Sequence, residues 1–254
     1  MKLLSFSVNG KASYGAMNDR GVITLIEQIG QPTLQEALAA GALPDIRKLT
    51  ANAKPDHDLE EIKFLPVIPN PGKILCAGIN YRAHAAETGR DAPKAPSVFA
   101  RFTDTLVGHR GDMIRPRVST QFDYEGELAV IIGRPGRHIS ADRALDYVAG
   151  YSCFVDGSVR DYQKFSVTAG KNFPATGPLG PWLVTTDEIP DPGRLTLSTR
   201  LNGVEMQRAS TADMIHSVSA IVAFCSDFTA LSAGDVIATG TPKASAIAAA
   251  RHYG

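Results

Sequence analysis

The chain has 254 residues, 44% of them hydrophobic and 20% charged, with 26 basic residues balancing 26 acidic ones. A formal charge of zero argues against nucleic acid or an anionic membrane surface as the main partner, and the apolar runs are too short to span a bilayer. Cys76, Cys153 and Cys225 are odd in number, far apart and never in a C-x-x-C pair, and the N-terminal MKLLSFSVNG is too short for a secretory signal. Both point to a reducing cytoplasm, with buried thiols and no thiolate metal site.

In chain order, Lys2–Val8, Ser13–Met17 and Val22–Glu27 read as short strands separated by turn residues. Thr33-Leu-Gln-Glu36 has the pattern of a capping box, opening a helix that Gly41 closes. The stretch Leu65–Gly72 (LPVIPNPG) reads as a linker, so that residues 1–68 form a small N-terminal α/β domain and residues 73–254 the main domain. In the main domain, Lys73–Gly78 reads as an apolar strand, Tyr81–Glu87 as a helical turn or two, Glu125–Ile132 as a strand and Ser140–Val148 as a capped helix. Asn202-Gly203 marks a hairpin between Leu195–Leu201 and Val204–Arg208. Thr211–Phe228 has helical stretches, and Ala233-Gly234-Asp235 turns into a last strand, Val236–Thr239. No internal repeat is visible.

"FDYEGELAVIIG", Phe122–Gly133, places Asp123, Glu125 and Glu127 at alternate positions, on one face of a strand. Like charges on one face repel, and carboxylates at the mouth of an apolar core need a cation or donors to offset their desolvation. A divalent metal is the simplest such cation, and an all-oxygen set suits Mg2+, Mn2+ or Ca2+ rather than zinc. Asp156 follows a short apolar strand and precedes Gly157, a strand-end position suited to a third ligand; Asp161 is its rival. His84 and Glu87, three apart on a helix, form either a surface pair or a base with its orienting carboxylate. Lys171 lies in the glycine- and proline-rich Ala169–Trp182, as a receptor for an anionic oxygen or as a turn residue. The Arg110-Gly-Asp tripeptide is taken as chance.

The segments "AGINYRAHAAE", "FDYEGELAVIIG", "DGSVRDYQ", "GKNFPATGPLGPW", "LNGVEMQRASTADMI" and "LSAGDVIATGTP" resemble, in order and spacing, the fumarylacetoacetate hydrolase family, from about Lys73 to Pro242. The resemblance implies a β-rich α+β fold with a roll of mixed sheets, assembled as a homodimer. It implies a divalent metal, Mg2+ first, on Glu125, Glu127 and Asp156, with Asp123 as a neighbour. The family's His–Glu pair falls on His84 and Glu87 and its lysine on Lys171, while Arg160, Gln163 and Thr241 fall among substrate contacts. The implied activity is hydrolysis of a carbon–carbon bond in a small 2,4-dioxo acid such as an acylpyruvate or fumarylpyruvate. The alternatives are a decarboxylase or isomerase on the same scaffold, or a catalytically impaired member.

The chain departs from the family in three places. Val155 replaces the asparagine common before the metal aspartate. Lys171-Asn172-Phe173-Pro174-Ala175 replaces Lys-Ser-Phe-Asp-Thr, with a threonine one place later at Thr176. After Pro242 the sequence reads KASAIAAARHYG in place of a Gly-Val-Gly turn and further strands. This leads to the expectation that residues 243–254 add no strand and that Val236–Thr239 lacks a neighbour on one side.

Overall fold

A computed structural model describes residues 1–87 and 92–242, the Glu87 side chain excepted. Three N-terminal strands, β1 (Lys2–Val8), β2 (Lys11–Asn18) and β3 (Gly21–Thr24), form an antiparallel meander. Asn9 and Gly10, with φ of 51° and 79°, make the tight turn between the first two. Helices α1 (Ile26–Ile29), α2 (Leu34–Ala39) and α3 (Leu43–Thr50) follow, and the Thr33 hydroxyl accepts the Glu36 amide at 3.1 Å to cap α2. Strand β4 (Lys63–Phe64) pairs with β1. Then come β5 (Ile74–Gly78), α4 (Arg82–Glu87), β6 (Ser97–Arg101), β7 (Leu106–Val107), β8 (Phe122–Asp123), β9 (Gly126–Ile132) and β10 (Val148–Val155). Strand β11 (Ser158–Val159), α5 (Arg160–Gln163), α6 (Val167–Lys171), β12 (Gly177–Thr185), the hairpin β13 (Thr196–Leu201) and β14 (Val204–Ser210), α7 (Val218–Phe228) and β15 (Val236–Ala238) complete the described chain.

The main sheet runs β3-β2-β1-β12-β10-β9-β15-β5-β6 and is mixed: β5 and β15 are parallel, their other neighbours antiparallel. Alternation along the central strands sorts side chains to two faces. Ile74, Cys76, Ala129 and Ile131 join a core with Leu34, Leu38 and Ile46 of the N-terminal helices. Leu75, Ala77, Leu128, Val130 and Ile132 pack instead against Val218, Ile221, Val222 and Cys225 of α7. With both faces covered, β9 is buried at every residue, and so its apolar end lacks a polar alternation.

Residues 1–68 extend the same sheet, because β1 pairs with β12 at Leu3↔Leu183. The stretch Leu65–Gly72, expected as a linker, is packed: Val67 and Ile68 have no exposed surface, and the Val67 carbonyl accepts the Ser5 hydroxyl at 2.8 Å. The helix expected over Ser140–Val148 is a set of i→i+3 turns with a short 3-10 segment at Ala144–Tyr147. The Tyr147 carbonyl is taken by the Gly133 amide at 2.7 Å, which draws the chain into β10 before a helix can continue. The last strand also differs from expectation. Strand β15 is paired on both sides, by β9 and by β5, the earlier strand filling the place expected to be empty. Residues 243–254 lie outside the described residues. Among those described, no helix is long and apolar enough to cross a membrane.

Candidate active site

Strand ends bring the acidic residues together. Glu127 lies in β9 opposite Phe154 of β10, Glu125 precedes β9, and Asp156 follows β10. The Asp156 amide donates to the Glu125 carbonyl at 2.8 Å, which ties the two strand ends. Carboxylate oxygens of Glu125, Glu127 and Asp156 lie within 4.8 Å of one another, and all three residues are buried. Gly126 between the two glutamates is required by space, since a Cβ there would sit 2.0 Å from Thr199 Oγ1. Asp161, the rival third ligand, is not in this cluster; its Oδ1 accepts the Ser119 hydroxyl at 2.6 Å.

Cations offset the buried negative charge. Lys171, at the end of α6, donates to Glu125 Oε2 at 2.6 Å, Asp156 Oδ2 at 2.5 Å and Ser158 Oγ at 2.7 Å. Arg160 opens α5 and places Nη2 2.6 Å from Asp123 Oδ2 and 2.7 Å from Glu125 Oε1, while its Nη1 donates to Gln163 Oε1 at 3.0 Å. Asp123 is thus a neighbour of the triad, held by Arg160. Arg101, at the end of β6, grips Asp156 from the other side through Nη1 and Oδ1.

These contacts set the protonation states. Burial pushes the Glu125 carboxyl up, but Lys171 and Arg160 more than reverse this and bring it down to about 2. Glu127 goes the other way: burial, then Asp156 and Glu125, raise it well above the usual carboxylate range, and its donor is the Gly240 amide at 2.8 Å rather than a cation. Burial pulls Lys171 down, yet Asp156 and Glu125 keep it above its ordinary value and therefore charged. A close set of buried, oxygen-only carboxylates, one lifted by its fellows, fits a hard divalent cation by its donor chemistry.

Of the remaining candidates, Thr241 is linked to this cluster through Gln207. Thr241 is buried and accepts Gln207 Nε2 at 3.0 Å, while Gln207 Oε1 takes the amide of Gly126, the residue between the glutamates. Helix α4, which carries the buried His84, is rooted at Asn80. The Asn80 side chain donates to the Thr239 and His216 carbonyls at 2.8 and 3.0 Å, and packs so closely on Gly240 that a Cβ there would lie 2.8 Å from Asn80 Cβ. His84 therefore stands on a helix anchored beside the turn that holds Glu127. The Glu87 side chain expected to orient it lies outside the described residues.

Arg101 and Gln207 were not marked by sequence reasoning. Each is a single polar residue whose partner is distant in sequence; Arg101 and Asp156 are 55 residues apart. The one available signal was a basic residue ending the short strand SVFAR, where a buried side chain needs an acidic partner.

Solved enzymes share this fold. Fumarylacetoacetate hydrolase from Exiguobacterium antarcticum superposes with a TM-score of 0.80 at 32% identity, covering 96% of this chain and 88% of that one. Maleylpyruvate hydrolase from Sphingobium sp. SYK-6, solved with manganese(II) and pyruvate, gives a TM-score of 0.83 at 25% identity, covering 97% of this chain and 90% of that one. A mitochondrial oxaloacetate tautomerase of Bos taurus is 37% identical over 233 residues, 89% of this chain and 74% of that protein. The family model described as fumarylacetoacetate (FAA) hydrolase C-terminal matches residues 73–252, and the chain belongs to this family.

Proposed function

We propose that this enzyme cleaves a carbon–carbon bond in a small 2,4-dioxo acid, an acylpyruvate or fumarylpyruvate, by metal-assisted hydrolysis. The observation that carries the reading is the convergence of Glu125, Glu127 and Asp156 with Lys171 donating to two of them. A divalent cation held by the three carboxylates, Mg2+ first and Mn2+ next, supplies a Lewis acid for the 2-oxo acid end of the substrate. His84, oriented by Glu87, takes a proton from the water that attacks the distal carbonyl. The carbon–carbon bond then breaks, its electron pair passing to the keto-acid fragment as an enolate. Lys171 offsets that developing charge, and the proton held by His84 returns to the enolate carbon. The products are a carboxylic acid and pyruvate or a similar keto acid. Arg160, Gln163 and Thr241 line the substrate's place.

A second reading, proton transfer on oxaloacetate, is favoured by the relationship to the bovine tautomerase. It uses the same base and needs no attacking water. One assay separates the two: a panel of acylpyruvates and oxaloacetate, each with Mg2+ and with EDTA. Consumption of a 2,4-dioxo acid with Mg2+, lost with EDTA, supports hydrolysis. Turnover confined to oxaloacetate replaces it with the second reading.

A second copy of the chain is the proposed partner. Phe165, 83% exposed, and Phe173 stack edge-on against Tyr162 on the α5–α6 segment that carries Arg160 and Lys171. Exposed aromatic surface of this kind is typical of interfaces. Light scattering should give the mass of a dimer, and Phe165→Glu that of a monomer; a monomeric parent chain would refute the proposal.

A further inference from the structure

Arg101 ends the edge strand β6, yet its side chain has no exposed surface. A guanidinium cannot shed its charge, so burial requires an acceptor for each arm of the fork. The structure supplies them from several elements. Besides Asp156 Oδ1, Nη1 donates to the Gly157 carbonyl at 3.0 Å, and Nη2 donates to Thr176 Oγ1 at 2.7 Å. The guanidinium carbon lies 5.6 Å from the centre of the Phe154 ring. Gly177 leaves the room, since a Cβ there would come 3.1 Å from Nη2.

The consequence appears when the oxygens of the triad are taken one at a time. Glu125 is gripped at Oε1 by Arg160, Glu127 at Oε2 by the Gly240 amide, and Asp156 at Oδ1 by Arg101. The second oxygens of Glu125 and Asp156 both turn to Lys171. Each carboxylate thus has its own dedicated donor on one oxygen, which fixes the direction of the other.

We infer that Arg101 is a positioning residue of the metal site: by holding Asp156 Oδ1 against a rigid, buried fork, it aims Oδ2 at the point the three carboxylates share. A lysine keeps the charge but not the planar fork that also engages Gly157 and Thr176. The inference rests on the metal reading of the triad.

The test is a Mn2+ titration of the full chain followed by electron paramagnetic resonance, on the parent and on Arg101→Lys, Arg101→Met and Thr176→Val, with circular dichroism as the check of folding. The parent should bind Mn2+. Arg101→Lys should bind about tenfold more weakly and Arg101→Met about a hundredfold, with an altered spectrum of the bound ion. Thr176→Val, which removes an acceptor and leaves the charge in place, should weaken binding in the same direction and decides the matter if the Arg101 variants do not fold. Folded variants that bind Mn2+ within twofold of the parent, with its spectrum, overturn the inference even if their melting temperatures fall, because a purely structural arginine behaves that way. A parent chain that binds no Mn2+ overturns the metal reading itself, and this inference with it.

Discussion

The Lys171 ammonium lies 2.6 Å from Glu125 Oε2 in a space from which solvent is almost wholly excluded. Its other two protons go to Asp156 and Ser158, so all three of its donors are engaged inside the cluster. Removing such a cation strands its carboxylates in a poor dielectric, at a cost of about 3–5 kcal/mol. Lys171→Met should therefore lower the melting temperature by several degrees in EDTA, recover part of it with Mn2+, and lose turnover more than Mn2+ affinity. Retention of the parent kcat would remove Lys171 from the proposed chemistry.

Glu127 faces two other carboxylates and takes its hydrogen bond from a backbone amide. The parent chain should gain thermal stability with Mg2+ or Mn2+ by mass action, about 2.7 kcal/mol at a hundred times the dissociation constant. Glu127→Gln should abolish that gain and, by relieving repulsion, leave the metal-free melting temperature unchanged or higher. A gain as large as the parent's would count against a metal on this residue.

His84→Asn should lower kcat on the active substrate by about a hundredfold or more while Mn2+ binding stays as in the parent. Stopped-assay kinetics beside a Mn2+ titration separates the two quantities. If kcat barely changes, the histidine is a structural feature of α4.

Tyr14 is 1% exposed and its hydroxyl has no hydrogen-bond partner among the described residues. Burial, with Glu36 adding to it, raises the phenol from 10.0 to about 12. The folded chain then keeps a proton that the unfolded chain gives up from pH 10 onward. The contribution of this group is intact below pH 10 and is lost as the pH rises to about 12. Tyr14→Phe should be as stable as the parent at pH 7 or more so, since an unpaired buried hydroxyl costs about 1–3 kcal/mol. Its advantage in denaturant unfolding should widen between pH 9 and 11. A constant difference across that range would show that the phenol ionises alike in both states.

Period and turn chemistry made much of the architecture readable. The Asn202-Gly203 hairpin, the Thr33 cap and the strand runs through Cys76 and Val130 all express local preferences that the tertiary structure keeps. Glu125 and Glu127 were readable because alternate carboxylates leading into an apolar strand need a cation or donors, whereas the choice of Asp156 over Asp161 came with the family resemblance. What escaped was set by distant pairing. Three prolines made Leu65–Gly72 look like a spacer, although its apolar residues fill the core beside Leu179. Ser140–Val148 looked like a capped helix, but β10 claims the backbone at Val148 before a second helical turn can form. Arg101 shows the same limit at the site: its meaning comes from Asp156 and Thr176, neither of them nearby in sequence.

The pairing of β1 with β12 has a consequence for biosynthesis. Leu3 and Leu183 stand opposite each other, 180 positions apart in sequence. At about 5–20 residues per second, the first strand leaves the ribosome on the order of ten to forty seconds before its partner is made. Through that interval β1 lacks its partner at Lys2 and Leu3, and Leu3, fully buried in the finished sheet, lacks its neighbour Leu183. The nascent chain therefore offers a chaperone an early binding segment at its N-terminal end, and slower elongation through the middle of the message lengthens the time for which that segment needs protection.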